Sequence, residues 1–192
     1  MSLRVPVFYG SVRQERKGIR LARFLVAKLG ERGHQPALVD PLELSLSMLD
    51  RMYKEYPDGE APEAMEKIAQ MLRQGDGFMI VSGEYNHSIP PALSNLLDHF
   101  LEEWRWRPSA IACYSAGGFG GVRAAMQLRA MLAELGASSI PSLYSVPKVH
   151  EAFDEQGRAL DPKLEKRLGR FLDEFEWYMS AFKCQRAQGT PY

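Results

Sequence analysis

The chain has 192 residues, 45% of them hydrophobic, so it is long enough to bury one substantial core without metals or cross-links. Its 24 acidic residues balance 24 basic ones, which argues against a global field that would draw it to nucleic acid or an anionic membrane. Its two cysteines make no disulfide framework, and no stretch approaches the roughly twenty apolar residues of a membrane span. We therefore expect a cytoplasmic protein with local binding specificity.

Short apolar runs alternate with segments of helical period along the whole chain. The runs at residues 5–9, 37–40, 78–82, 110–115 and 142–146 predict buried strands. Apolar positions at helical spacing follow each run, and they are Ile19, Ala22, Val26 and Leu29; Met65, Ile68, Ala69 and Leu72; Leu93, Leu96, Leu97, Phe100 and Leu101; Val122, Met126, Leu132 and Leu135; and Leu164, Leu168, Phe171, Leu172 and Phe175. The pattern is a strand and a helix, repeated five times.

This alternation predicts an α/β protein with right-handed crossovers and helices on both faces of a parallel sheet. Five strands suit a flavodoxin-like three-layer sandwich of strand order 2-1-3-4-5. We expect one domain over residues 1–182 and a disordered tail over residues 183–192. The longest irregular stretch, residues 41–62, is long enough to be functional or mobile.

The loop after the first predicted strand carries a dense group of cations. Residues 10–18 read GSVRQERKG and lead into a helix, whose unpaired N–H groups favour an anion. Ser11 adds a hydroxyl, Arg13 adds a fork that matches phosphate oxygens, and Gly18 permits close backbone approach. The spacing is neither a P-loop nor a dinucleotide fingerprint, so a monophosphate is predicted. In the alternative interpretation, a solvated helix face is formed by Arg13, Arg16, Lys17, Arg20 and Arg23.

Two further loops fall at the same predicted edge of the sheet. After the third strand, residues 84–88 read EYNHS before a helix opened by prolines, and their polar groups can meet the edge of a flat heterocycle. The alternatives are an ordinary turn capped by Ser88 and a surface role for His87. After the fourth strand, residues 115–121 read SAGGFGG, which predicts a nest of N–H groups or a flexible connector.

Together, GSVRQERKG, EYNHSIPPALSNLLD and YSAGGFGG make the chain resemble the NAD(P)H-dependent FMN reductases of flavodoxin-like fold, a family that includes quinone and azo-dye reductases. The resemblance spans about residues 5–146. The chain departs from the common family pattern at Gly83, Ser94 and Gly18, where other members commonly carry proline, lysine and serine.

The resemblance implies a set of FMN contacts in these loops and no metal. The phosphate contacts would be Ser11, Arg13, Gly18 and Ile19, with Arg16 nearby. The contacts along the isoalloxazine ring would be Glu84, Tyr85, Asn86 and Ser88. At the pyrimidine end the contacts would be Ser115, Gly117 and Gly118, and the N–H groups of the two glycines would support negative charge.

The resemblance also implies an activity and partners. Hydride would pass from NADPH or NADH to FMN and then to a flavin, quinone or azo acceptor in a ping-pong cycle, with no catalytic base from the protein. Tyr85 and residues of the 41–62 stretch, such as Met52 and Tyr53, are candidates to wall the acceptor space. Family members form dimers or tetramers, so Trp104 and Trp106 are expected either at such an interface or in the core. The alternatives are a flavodoxin-type electron carrier and a non-catalytic flavoprotein.

Overall fold

The computed structural model describes residues 1–192 and contains one five-stranded sheet. In chain order the elements are β1 (Arg4–Tyr9), α1 (Ile19–Glu31), β2 (Gln35–Val39), α2 (Pro41–Leu44), α3 (Glu63–Gln74), β3 (Phe78–Gly83), α4 (Pro91–Asp98), β4 (Ser109–Tyr114), α5 (Val122–Glu134), β5 (Ser139–Val146), α6 (Val149–Ala152) and α7 (Pro162–Arg186). Two 3₁₀ turns lie at Tyr53–Glu55 and Glu102–Trp104. No helix combines the length and apolar character that crossing a membrane requires.

The sheet confirms the predicted topology. Its strands lie in the order β2-β1-β3-β4-β5, and every neighbouring pair is parallel. The central strands β3 and β4 are buried along their whole length because helices cover both faces. One core cluster, which includes α1 and α7, lies on one face, and another, which includes α3, α4 and α5, lies on the other. The molecule is therefore the expected three-layer sandwich.

The edge strand β5 is longer than its apolar run. Prediction began it at residue 142, but the ladder starts at Ser139, which pairs with Ser109. Pro141 has no N–H to donate, and the register shifts between Ser109 and Ile111 on the facing strand. Proline is tolerated here because β5 has a neighbour on one side only.

Some predicted helix positions change role in the structure. Met126 is 51% exposed, because α5 turns its alanines and leucines to the sheet instead. The helix α4 ends at Asp98, before Phe100 and Leu101. The carbonyl of Leu97 then accepts hydrogen bonds from the Phe100 N–H and from the Trp104 indole, which satisfies the helix end.

The last helix runs past the boundary predicted at residue 182. It continues to Arg186, and Lys183 and Arg186 both pair with the buried Asp76. The Arg186 guanidinium also donates to the carbonyl of Trp106, and the Tyr192 ring meets the Trp106 ring edge-on at 5.0 Å. Because a charge on a buried carboxylate needs partners, these ion pairs hold the end of the helix against the sheet.

Two sequence hypotheses on aromatic residues have definite outcomes. Trp104 is fully buried between Phe8 and Phe78, so of its two candidate places it occupies the core. Tyr53 is also buried: it packs on Phe100, and its hydroxyl donates to Glu66 over 2.8 Å. Tyr53 therefore anchors its part of residues 41–62 to the core. The expectation that its ring walls an acceptor space does not agree with this buried position.

Candidate functional site

The loops after β1, β3, β4 and β5 meet in one cleft at the carboxyl edge of the sheet. Parallel strands bring their carboxyl ends to the same edge, which is where ligands bind in this class of fold. Of the predicted site residues, the cleft is lined by Ser11, Arg13, Arg16, Gly18, Glu84, Tyr85 and Ser115. Residues distant in sequence thus share one surface, as the three loop motifs predicted.

The first loop presents a row of free backbone donors. The N–H groups that make no hydrogen bond within the protein belong to Ser11, Val12, Gln14, Glu15, Arg16 and Gly18. The loop ends at the N-cap of α1, Gly18, which supplies no capping side chain. Unpaired N–H groups and the positive end of the helix dipole are together a preferred environment for an anion.

The cations of the first loop divide into two groups. Arg13 and Lys17 are exposed in the cleft and form no ion pair, so both are available to a ligand. Arg20 and Arg23 lie outside the cleft, where Arg20 donates to the carbonyl of Phe153. Each sequence hypothesis therefore describes part of the group: the cations nearest the strand face the cleft, and those further along the helix do not.

Arg16 mainly fixes the conformation of the first loop, because its charge is paired within the protein. Its guanidinium forms an ion pair with Asp40, donates to the carbonyl of Ser11 and lies over the ring of Tyr9. The hydrogen bond with Asp40 raises the pKa of Arg16. Because Asp40 is only 3% exposed and follows β2, this pair holds the first loop against the neighbouring strand end.

A pair of hydroxyls joins the first loop to the second. The hydroxyls of Ser11 and Tyr85 lie 2.8 Å apart. Tyr85 begins a tight turn in which its N–H and carbonyl both bond to Ser88, and the two central residues, Asn86 and His87, have φ of 50° and 64°. Left-handed backbone at both positions is typical of a type I′ turn. The turn fixes the base of the Tyr85 side chain at the cleft.

Glu84 and Ser88 have structural partners on α5. A Glu84 carboxylate oxygen accepts hydrogen bonds from the N–H groups of Arg123 and Ala124, so this side chain caps α5. The hydroxyl of Ser88 donates to Gln127 over 2.7 Å. Ser88 thus does not cap the helix that follows it, as the alternative prediction had it, and both contacts fasten the second loop to α5.

The glycine-rich third loop is held by its own serine. The Ser115 hydroxyl donates to the carbonyl of Gly117 and accepts from the N–H of Gly120, in each case over 2.9 Å. The N–H groups of Gly117 and Gly118 make no hydrogen bond within the protein. The loop is therefore a turn held by hydrogen bonds of its own serine, and the N–H groups of both glycines are free.

Sequence reasoning missed the contribution of β5 to the cleft. The N–H of Lys148 donates to the carbonyl of Gly117, and the N–H of Val149 donates to the carbonyl of Ser115. Val149 and His150 line the cleft beside these bonds. The signal was available in the strand order, because β5 lies next to β4 and its carboxyl end reaches the same edge.

Several predicted residues stand next to the cleft without lining it. Ile19 begins α1 and is packed partly against the core. Asn86 occupies the tip of its turn, and Gly117 and Gly118 continue the loop that Ser115 and Ala116 bring to the cleft.

The structure defines a flavodoxin-like protein with a cleft at the carboxyl edge of its sheet. Comparisons with known proteins give the family. The family model for NADPH-dependent FMN reductase matches residues 3–151. The chain therefore belongs to the NADPH-dependent FMN reductase family, and it is an oxidoreductase that uses FMN with NAD(P)H.

Named relatives agree with this family. The chain is 28% identical to 2-hydroxy-1,4-benzoquinone reductase of a Burkholderia species over 91% of this chain and 95% of the relative. It is 31% identical to probable NADPH:quinone oxidoreductase 1 of Oryza sativa subsp. japonica, over 88% of each. Among solved structures, FerB, a flavoenzyme NAD(P)H:(acceptor) oxidoreductase from Paracoccus denitrificans, matches with a TM-score of 0.76 at 25% identity, over 93% of this chain and 97% of that one.

Proposed function

We propose that this protein reduces small electron acceptors, such as quinones, flavins or azo compounds, at the expense of NAD(P)H in a ping-pong cycle. Bound in the cleft, FMN would supply the redox chemistry by accepting hydride from the nicotinamide and passing reducing equivalents to the acceptor. The observation that carries the proposal is the hydrogen bond between the hydroxyls of Ser11 and Tyr85. It brings the first loop, which we assign to the FMN phosphate, and the second loop, which we assign to the flavin ring, into one cleft.

The first loop has the donors that a phosphate monoester needs. Four of its residues with a free N–H group line the cleft, and the Arg13 guanidinium and the Lys17 ammonium add positive charge there. Charge-assisted hydrogen bonds to phosphate are stronger than neutral ones, and Arg13 can form two in parallel. The chemistry of this donor set fits the phosphate of FMN.

The second and third loops suit the ring system. Tyr85 offers an aromatic face, and the free N–H groups of Gly117 and Gly118 offer donors to the pyrimidine end. Donors held in place before reaction stabilise developing negative charge without the cost of reorganisation. We assign no proton transfer to a side chain: Glu84, the carboxylate beside Tyr85, is already committed to capping α5.

We propose a cytoplasmic location for this enzyme.

We also propose that the protein is a homodimer or homotetramer, formed through the helices that follow β3 and β4. The exposed Met126 on α5 and the exposed Phe119 just before it support this face, since large apolar side chains in contact with water favour burial. Light scattering on the purified protein measures the mass directly, and a monomer at micromolar concentration would contradict the proposal.

A flavodoxin-type electron carrier is the second candidate, since it shares the fold. A flavodoxin from Pseudomonas aeruginosa matches with a TM-score of 0.56 at 16% identity, which supports the fold alone. Electron carriers use net charge to steer partners, whereas this chain has a formal net charge of zero. The charge balance therefore favours the enzyme.

Rapid kinetics on the purified protein tests the proposal. The protein loaded with FMN is mixed without air with NADPH or NADH, and loss of the yellow absorbance is followed; the reduced protein is then mixed with a benzoquinone, free flavin or an azo dye. We expect fast bleaching, fast recovery with at least one acceptor, and parallel lines in double-reciprocal plots. Slow bleaching with both nucleotides would favour the electron carrier or a non-catalytic flavoprotein.

A further inference from the structure

Tyr114 ends β4 inside the cleft, and the two residues that face its ring, Gly18 and Gly83, are glycines. The residue is 8% exposed and lines the cleft together with Gly18. Its ring stacks on the ring of Tyr9, with centroids 6.4 Å apart and planes inclined by 19°. Two strand ends, β1 and β4, thus contribute one tyrosine pair directly beside the start of α1.

The phenol of Tyr114 fills the space that a side chain at position 18 would need. A Cβ atom at Gly18 would lie 2.1 Å from Cζ and 2.4 Å from the hydroxyl oxygen of Tyr114. A Cβ at Gly83, on the end of β3, would lie 3.1 Å from the same two atoms. The ring therefore sits between α1 and β3, and its hydroxyl lies at the first turn of α1.

The hydrogen of the Tyr114 hydroxyl can be redirected to a ligand. In the structure the Tyr114 hydroxyl donates to the hydroxyl of Tyr9 over 3.2 Å, and because a hydroxyl hydrogen rotates, Tyr9 can become the donor while Tyr114 donates to a ligand. Burial raises the pKa of Tyr114 well above its ordinary value. The phenol thus stays protonated at neutral pH and acts as a donor rather than as a negative charge that would repel phosphate.

We propose that Tyr114 is a further binding residue for the phosphate end of FMN, donating a hydrogen bond from β4 while its ring holds the first turn of α1 in place. At this turn the hydroxyl takes the place that a side chain on Gly18 would otherwise have. The inference rests on the proposed FMN site, and it adds a residue that is not among the FMN contacts implied by the family resemblance.

The experiment compares FMN with riboflavin, which lacks the phosphate. Apoprotein is titrated with each, and quenching of flavin fluorescence gives the dissociation constant. We expect Tyr114→Phe to raise the constant for FMN about tenfold and to leave that for riboflavin unchanged, because only the hydroxyl is removed. Tyr144→Phe is the matched control: it removes a buried tyrosine hydroxyl that donates to the carbonyl of Leu164, outside the cleft, and is expected to change neither constant.

A second pair of variants tests the role of the ring. Gly18→Ser is expected to weaken FMN binding at least tenfold because the new side chain meets the phenol. Adding Tyr114→Leu should recover part of that loss, which shows as non-additivity of the two changes. Equal FMN affinity in Tyr114→Phe and wild type, or equal weakening for FMN and riboflavin, would overturn the proposal. Failure of the wild type to bind FMN at all would instead overturn the proposed function.

Discussion

The hydroxyl of Ser11 lies 2.8 Å from the hydroxyl of Tyr85, although 74 positions separate the two residues in the chain. This contact ties the loop after β1 to the loop after β3 at the edge of the sheet. It forms because β1 and β3 are direct neighbours in the ladder, with Tyr9 opposite Val81. The bond fixes the distance between the two loops, which in the proposed function contact the phosphate and the ring of FMN.

Removing either of the two hydroxyls should weaken FMN binding by a similar amount. We expect Ser11→Ala and Tyr85→Phe each to raise the FMN dissociation constant severalfold, and the double variant to be less than additive by about 1 kcal/mol. Fluorescence titration of the four proteins gives the coupling. Full additivity would show that the two hydroxyls act independently and that the observed contact does not organise the cleft.

Arg13 is expected to hold the phosphate through charge. Arg13→Ala should raise the FMN dissociation constant by tenfold or more, since a hydrogen bond to a charged group contributes about 1.5 to 3 kcal/mol. The riboflavin constant should not change. Arg23→Ala is the control, because Arg23 is an exposed cation of α1 outside the cleft. If both variants retain FMN equally, the cations of this segment serve only as a solvated face.

Glu84 is expected to matter for stability more than for chemistry. Glu84→Gln keeps the shape but loses the charge that accepts from the N–H groups of Arg123 and Ala124, so the free energy of unfolding should fall by about 1 kcal/mol. Urea unfolding measures this. Glu60→Gln removes an exposed carboxylate that forms no side-chain hydrogen bond or ion pair and should leave stability unchanged. A stable Glu84→Gln protein would contradict the capping role.

The two thiols should differ sharply in reactivity. Burial raises the pKa of Cys113 to about 11, whereas Cys184 is exposed. Because the thiolate is the reactive form, a disulfide reagent at pH 8 should label one thiol quickly and the other only after unfolding. Cys184→Ser should abolish the fast phase. A fast phase that survives this change would show that Cys113 is accessible.

The same burial predicts a loss of stability in alkaline solution. The pKa of Cys113 is higher in the folded chain, about 11, than its ordinary value of 9.0, so the unfolded chain loses the proton first. The contribution is fully present below pH 9 and disappears as pH rises towards 11, by on the order of 2 kcal/mol. Urea unfolding at pH 8 to 10.5 should show a smaller decline in Cys113→Ala than in wild type. Equal slopes would contradict the prediction.

The glycines of the third loop should not be equivalent. Gly121 has φ of 82°, and a Cβ there would lie 2.7 Å from the backbone N and O of Tyr114, so Gly121→Ala should lower the free energy of unfolding by about 2 to 4 kcal/mol. At Gly117 a Cβ meets nothing within 4 Å, and Gly117→Ala should stay within about 0.5 kcal/mol of wild type. Thermal melts of both variants check this. Equal melting temperatures would contradict the steric argument.

Local pattern predicted the sheet well and the roles of single side chains less well. Apolar runs and helical spacing gave the number, direction and order of the strands, because burial on two faces requires continuous apolar sequence. The same pattern could not distinguish Trp104 in the core from Trp104 at an interface, or tell that Met126 faces water. Those outcomes depend on which neighbour fills each space, and neighbours come from distant parts of the chain.

The amino-acid sequence by itself placed a cation-rich turn, a polar turn and a glycine-rich turn after three strands of the predicted sheet, and so predicted that these turns meet at one edge of it. Only the tertiary structure decided which groups there are free to bind. The charge of Arg16 is neutralised by Asp40, the Glu84 carboxylate caps α5, and the Tyr114 ring occupies the space that a side chain at Gly18 would need. The physical reason is that a partner within the fold limits how freely a charge can act on a ligand, and pairing is set by contacts between residues far apart in the chain.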